Sequence, residues 1–237
     1  KSMSDLRQTQ KKSFKDPRGG YFDYGRQGTP TTFELEKLLT KLEESYHTFL
    51  TPTGFGAVFL TLFSILRPGD ELIIADPVYS PTRNLTEKYL KDFKILAKFY
   101  NPNDLSTIKK NITEQTKLIY VENPGSNTFE FQDLGKILSI AKRKKIFTAI
   151  DNTWGTPYFL KPIKLGFDLS IVSGTKYYSR HSDVMGGSLA VSQRVFRRVL
   201  QAYNMTGLRL SPDDAYLIMR GLRTLDVRLD KHEENSI

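Results

Sequence analysis

The sequence predicts an α/β fold, a mostly parallel sheet sandwiched by helices, and three observations carry that expectation. Short apolar runs recur at Leu72 to Ala75, Ile95 to Tyr100, Leu118 to Val121, Ile146 to Ile150 and Leu169 to Val172. Segments with helical spacing lie between or after them, at Lys88 to Phe93, Leu105 to Ile112, Leu134 to Lys144 and Val195 to Tyr203. Apart from Lys98, Thr148 and Ser170 the runs are continuously apolar rather than alternating, as strands covered on both faces require.

Before the first run, Thr31-Thr32-Phe33-Glu34 has the form of a capping box, and Leu35, Leu38, Leu39, Leu42 and Tyr46 follow on one helical stripe. Ala57 to Leu66 reads as a buried helix closed by the turn Arg67-Pro68-Gly69-Asp70. Near the end, Ser211-Pro212-Asp213-Asp214 opens a further helix, Ser as N-cap and Pro in the first turn. Ala215, Ile218, Leu222, Leu225 and Leu229 keep its spacing, and with neither Gly nor Pro after Gly221 it is expected to run unbroken to Ile237. The opening Lys1-Ser2-Met3 and this unterminated helix are read as cut ends. The expected organisation is a partial N-terminal segment at 1–20, one domain at 21–210, and at 211–237 the start of a helix that runs toward missing sequence. The apolar stripe of that helix is expected to be partly uncovered.

The 237 residues carry 35 Lys and Arg against 26 Asp and Glu, a formal net charge of +9, with three His and no Cys. No disulfide framework, thiolate nucleophile or Cys-based metal site is possible, and His47, His181 and His232 are too scattered to suggest a metal. The longest apolar run, Ala57 to Leu66, falls far short of the roughly 20 residues of a membrane span. Nor is there a signal-peptide pattern, so the expectation is a soluble, cytoplasmic protein. The basic clusters Lys11-Lys12, Lys142-Arg143-Lys144-Lys145 and Arg197-Arg198 are short and lie beside helical faces. They read as solvated surface, and neither nucleic acid nor membrane is expected as a partner.

In parallel sheets the ligand site lies beyond the carboxyl ends of the strands. The residues there are Asp76, Glu122, Asp151 and Ser173 to Lys176, three acids and one Lys expected to converge on one sheet edge. Beside them Thr53-Gly54-Phe55-Gly56 opens the Ala57 helix, where backbone N–H groups meet an anion at the positive end of the helix dipole. Ser173-Gly174-Thr175 sets two hydroxyls next to the Lys176 amine. Together they suggest a phosphorylated cofactor that reacts with an amine.

Tyr24-Gly25-Arg26-Gln27-Gly28-Thr29-Pro30-Thr31, Asp76-Pro77-Val78-Tyr79, Glu122-Asn123-Pro124-Gly125-Ser126-Asn127-Thr128, Asp151-Asn152-Thr153-Trp154 and Ser173-Gly174-Thr175-Lys176-Tyr177 follow in order. His181-Ser182-Asp183-Val184-Met185-Gly186-Gly187 completes the series. In order and spacing they resemble the Cys/Met-metabolism family of pyridoxal-phosphate (PLP) enzymes, with the fold of the PLP-dependent transferases; the resemblance implies that 21–210 is the PLP-binding domain and that the C-terminal small domain, to which the helix at 211–237 connects, is missing. The resemblance implies pyridoxal 5'-phosphate as cofactor, Lys176 as its Schiff-base lysine and Asp151 as the partner of its pyridine nitrogen. It implies that Gly54, Phe55, Ser173 and Thr175 hold the phosphate and that Tyr79 stacks on the ring. Tyr24 and Arg26 match a pair that reaches the phosphate of a neighbouring subunit, so a homo-oligomer, a dimer of dimers, is implied. His181 and Asp183 keep a structural reading.

Arg180 departs from the pattern, standing where a small residue is expected, as does Gly174 in place of the usual Ala. Ser126, where γ-acting members carry Asn, leans the resemblance toward the β-lyases. The activity so implied is a carbon–sulfur β-lyase that cleaves cystathionine to homocysteine, pyruvate and ammonia in methionine biosynthesis. Catalysis then falls to Lys176, Tyr79 and Asp151. The alternatives are a γ-lyase or γ-synthase of the same family and, more remotely, a non-catalytic basic binding protein.

Overall fold

The computed structural model describes residues 2–16 and 18–237, so positions 1 and 17 of the expected N-terminal segment lie outside the described residues. The chain opens with helix α1 (Met3–Lys15), capped by the Ser2 hydroxyl on the Asp5 N–H. A 3₁₀ turn at Gly25–Gln27 leads to α2 (Pro30–Leu42) and strand β1 (His47–Thr51). Then come α3 (Gly54–Ile65), β2 (Glu71–Ala75), α4 (Ser80–Asn84), a π turn at Leu85–Tyr89, α5 (Leu90–Asp92) and β3 (Leu96–Tyr100). Next are α6 (Ser106–Asn111), β4 (Thr116–Glu122), α7 (Leu134–Lys144), β5 (Phe147–Asp151), α8 (Thr156–Phe159), α9 (Pro162–Leu165) and β6 (Leu169–Ser173). The chain closes with β7 (Gly187–Val191), α10 (Phe196–Thr206), α11 (Pro212–Leu222) and α12 (Leu225–Glu234). Among the described residues no helix is long and apolar enough to cross a membrane.

Seven strands form one sheet in the order β1-β7-β6-β5-β4-β2-β3. All run parallel except β7, which is antiparallel to both β6 and β1. The alternation of the strands divides the core. Leu72, Ile74, Leu118, Tyr120 and Ile171 point to one face under α3 and α10. Ile73, Ala75, Ile119, Val121 and Ile150 point to the other, under α6 and α7. Each fully buried Leu or Ile contributes about 1.5–3 kcal/mol relative to exposure, so helices on both faces are what the apolar strands demand.

Five expectations change. The N-cap of α2 is Thr29, whose side chain accepts from Thr32 N–H, with Pro30 in the first turn; Glu34 is instead ion-paired with Lys37 at 2.7 Å. Helix begins at Ser80 rather than near Lys88, after Tyr79. The strands β1 and β7 escape a search for apolar runs, because their Thr and Ser residues are buried in a fully covered region. The long C-terminal helix is two helices. An added Cβ on Gly221 would stand 2.2 Å from the Tyr178 carbonyl oxygen, so this Gly lets α11 lie against the loop before it. The Gly221 carbonyl accepts from the Thr224 hydroxyl and the Arg228 guanidinium, which ends α11 there. The stripe expected to be uncovered is packed: Ala215, Ile218, Leu225 and Leu229 are buried with Leu35, Leu39 and Val172.

Candidate active site

Beyond the carboxyl ends of β4, β5 and β6 the helices part around a cleft of about 1300 Å³. Glu122 and Asp151, the last residues of adjacent parallel strands, stand opposite each other in the register of the sheet. Both are half-buried, and burial raises the pKa of each. Glu122 is pushed up to about 8, first by burial and then by the negative Asp151 beside it, although the Tyr79 N–H donates to its Oε2 at 2.7 Å. Two like charges under such cover are relieved by uptake of a proton or by a cation beside them.

Thr153 ties the two central strand ends together. Its N–H donates to Asp151 Oδ1 at 3.0 Å and its hydroxyl accepts from the Ser173 N–H at 2.9 Å. After β6 the loop turns back, with Lys176 N–H on the Ser173 carbonyl and Ser179 N–H on the Gly174 carbonyl. Lys176 is exposed in the cleft, and its amine enters no hydrogen bond or ion pair among the described residues.

Across from this loop, the first turn of α3 offers N–H groups. The Thr53 hydroxyl accepts from Gly56 N–H and its carbonyl from Ala57 N–H, which leaves Gly54 and Phe55 N–H without partners inside the helix. A Cβ on Gly54 would come within 2.6 Å of the Ser173 Cβ and Oγ. Only Gly brings the helix end and the Ser173 hydroxyl this close, and the result is a cradle for an anion. Thr175 is differently engaged, its hydroxyl accepting from Gly186 N–H at 3.1 Å and donating to Gly186 carbonyl at 3.3 Å. It holds the loop, while the Ser173 hydroxyl stays uncommitted. This donor set fits PLP: an anion cradle, an acid pair suited to a ring cation and a free amine, all on one cleft.

The cleft thus gathers Gly54, Phe55, Tyr79, Asp151, Ser173, Thr175 and Lys176. It does not gather Asp76, whose carboxylate is ion-paired with Arg83 at 3.0 Å. Tyr24 and Arg26 also lie outside it. Tyr24 is exposed, and Arg26 donates to the Asn204 carbonyl at 3.1 Å with its guanidinium 5.5 Å over the Tyr24 ring. His181 turns its Nδ1 to the Ser179 carbonyl, and Asp183 is held by Arg220 at 2.9 Å. Three residues of the cleft were given no role in the sequence reading, although Thr153 and Trp154 stand in one of its motifs. Thr153 was legible only as a hydroxyl two residues after an acid, and the edge-to-face pair of Phe129 and Trp154, 6.3 Å apart on the cleft, joins residues with no local sequence relation.

Comparison with known proteins agrees with this geometry. The family model described as "Cys/Met metabolism PLP-dependent enzyme" matches residues 2–237. The chain is 34% identical over 91% of its length to a cystathionine beta-lyase of Coxiella burnetii and 36% identical over 98% to a cystathionine gamma-lyase of Mus musculus. It covers 56% and 58% of those two proteins. The crystal structure of cystathionine gamma-lyase from Lactobacillus plantarum complexed with L-serine superposes with a TM-score of 0.84 at 30% identity, covering 88% of this chain and 55% of that one. The chain therefore spans little more than half the length of these relatives, and it belongs to the Cys/Met-metabolism family of PLP-dependent enzymes.

Proposed function

We propose that this sequence carries the cofactor half of a carbon–sulfur β-lyase that acts on cystathionine. One observation carries the reading: the unpartnered Lys176 amine and the half-buried Asp151 carboxylate face one cleft, beside a cradle that only Gly54 permits. The bound cofactor supplies an electron sink for a carbanion at the substrate α-carbon. Gly54 and Phe55 N–H and the Ser173 hydroxyl bind its phosphate, joined by Thr175 where its hydroxyl leaves Gly186. Asp151 would hold a proton on the pyridine nitrogen, whose single positive charge offsets one acid of the pair, and Tyr79 would cover the ring.

Lys176 is the residue whose ε-amine would hold the cofactor between turnovers. Its ε-amine then removes the α-proton, and Lys176 or Tyr79 returns a proton to the departing sulfur. Tyr24 and Arg26, outside the cleft of their own chain, reach the phosphate of a neighbouring copy in a dimer of dimers. That Ser126 lies on the cleft supports the β-acting choice over the γ-acting relatives.

The test is product analysis on the full-length protein. Pyruvate and homocysteine from cystathionine support the reading; 2-oxobutyrate and cysteine overturn β-elimination in favour of the γ-acting alternative.

A further inference from the structure

Arg180 is the unexplained residue of the cleft. Its N–H donates to the Lys176 carbonyl at 3.0 Å, which places it one turn after the amine. Its φ is +62°, a left-handed conformation that Gly enters freely and Arg only at a cost. Such a cost is tolerated where surrounding structure or function demands the residue. The side chain is exposed on the cleft with its guanidinium 5.9 Å over the Tyr177 ring, and it enters no hydrogen bond or ion pair among the described residues.

Among the described residues no neighbouring acid is paired with Arg180. Asp183 is taken by Arg220, and Asp214 sits in the first turn of α11, where the helix dipole favours it. Arg228 donates to the carbonyls of Tyr177 and Gly221. Lys176 and Arg180 are thus the cations of the cleft lining that no protein anion satisfies. They serve different ends of a substrate, since Lys176 acts at the α-carbon. A planar guanidinium beyond it suits a carboxylate by paired hydrogen bonds.

We propose that Arg180 is a specificity-determining residue that receives the carboxylate on the far side of the substrate sulfur. It selects amino-acid sulfides with an anionic distal group over uncharged S-alkyl amino acids. This rests on the carbon–sulfur lyase reading and deepens it, because cystathionine carries such a carboxylate and a simple S-alkylcysteine does not.

The experiment compares cofactor-loaded, full-length wild-type protein with R180G and R180K on cystathionine and on S-propylcysteine, following release of either 2-oxoacid. Gly suits the backbone at this position, so R180G removes the guanidinium without adding strain. The preference, as a ratio of kcat/KM values, should fall about 10- to 100-fold in R180G, mainly through KM for cystathionine, as expected when a charge-assisted contact is lost. R180K should retain part of it. An unchanged ratio in R180G, or an equal loss on both substrates, overturns the assignment. Release of 2-oxobutyrate in place of pyruvate overturns β-elimination alone; S-propylcysteine has no sulfur on its γ-carbon, so the ratio is then read against S-propylhomocysteine, and its fall in R180G still tests Arg180. No turnover of either compound by wild-type protein overturns the lyase reading and this assignment together.

Discussion

Glu43 and Glu122 share the same displaced acidity in opposite settings. Each carboxyl group is pushed up to about 8, chiefly by burial. Glu43 follows the end of α2, has no solvent exposure, and accepts from the Tyr178 hydroxyl at 3.4 Å. Tyr178 is itself buried and pushed well above its ordinary value. Glu122 lies at a strand end, opposite another acid and open to a cleft that also holds an unpartnered amine. The contrast teaches that a raised carboxyl pKa reports burial, whereas chemistry needs an uncommitted partner within reach of a ligand.

The sharpest way to break that contrast is to remove the uncommitted partner. In Lys176→Ala, turnover should fall by about four orders of magnitude, the upper range for loss of a proton-transferring side chain. The thermal unfolding midpoint should stay in place, because the amine is exposed and bonds to nothing in the protein. Both quantities are read on one preparation. Substantial remaining turnover would remove Lys176 from the mechanism.

Glu43→Gln acts on the other side of the comparison. The folded-state pKa of Glu43 lies above its unfolded value of 4.5, so the group's contribution to stability is fully present below about pH 4.5 and is lost as pH rises through about 8. Gln stays neutral. The variant and the wild type should unfold alike in urea below about pH 4.5, and the variant should be more stable above about pH 8, by on the order of 3 kcal/mol. A difference that does not change with pH would mean that Glu43 is not the buried titrating acid described here.

These two residues also mark how far the sequence is legible. Glu122, Asp151 and Lys176 could be placed because strand ends share one sheet edge, a rule that needs only the strand order of apolar runs. Asp76 obeys the same rule and is nonetheless withdrawn by Arg83, seven residues further on, an ion pair that depends on how α4 leaves the strand. Glu43 carried no signal, since its burial is produced by Tyr178, far away in sequence. The same holds for the end of α11: Gly221 looked like an interruption to be passed over, and its close approach to the Tyr178 carbonyl is a fact of packing.

A smaller effect is expected at the anion cradle. In Gly54→Ala the new methyl would stand 2.6 Å from the Ser173 Cβ and Oγ, and both belong to the end of a core strand that cannot simply withdraw. About 2 kcal/mol of stability should be lost to overpacking. Cofactor retention, measured by dialysis and visible absorbance, should fall with it. Unaltered retention would move the phosphate away from the first turn of α3.

The smallest effect concerns Arg26, which lies outside the cleft and already has a protein partner in the Asn204 carbonyl. If that contact were its whole role, Arg26→Ala would cost well under 1 kcal/mol of stability, as exposed polar contacts do, and leave cofactor retention alone. If it serves a neighbouring chain, retention should weaken by roughly tenfold, the lower range for a charge-assisted bond to phosphate. Mixing separates the two cases. An Arg26→Ala chain keeps its own Lys176, and a Lys176→Ala chain keeps its own Arg26. In a mixed dimer, the cleft with intact Lys176 receives Arg26 from the other chain only if the contact crosses between copies. Wild-type cofactor retention should therefore reappear on mixing, in the clefts that keep Lys176, whereas no recovery in verified mixed dimers would show that Arg26 acts within its own chain.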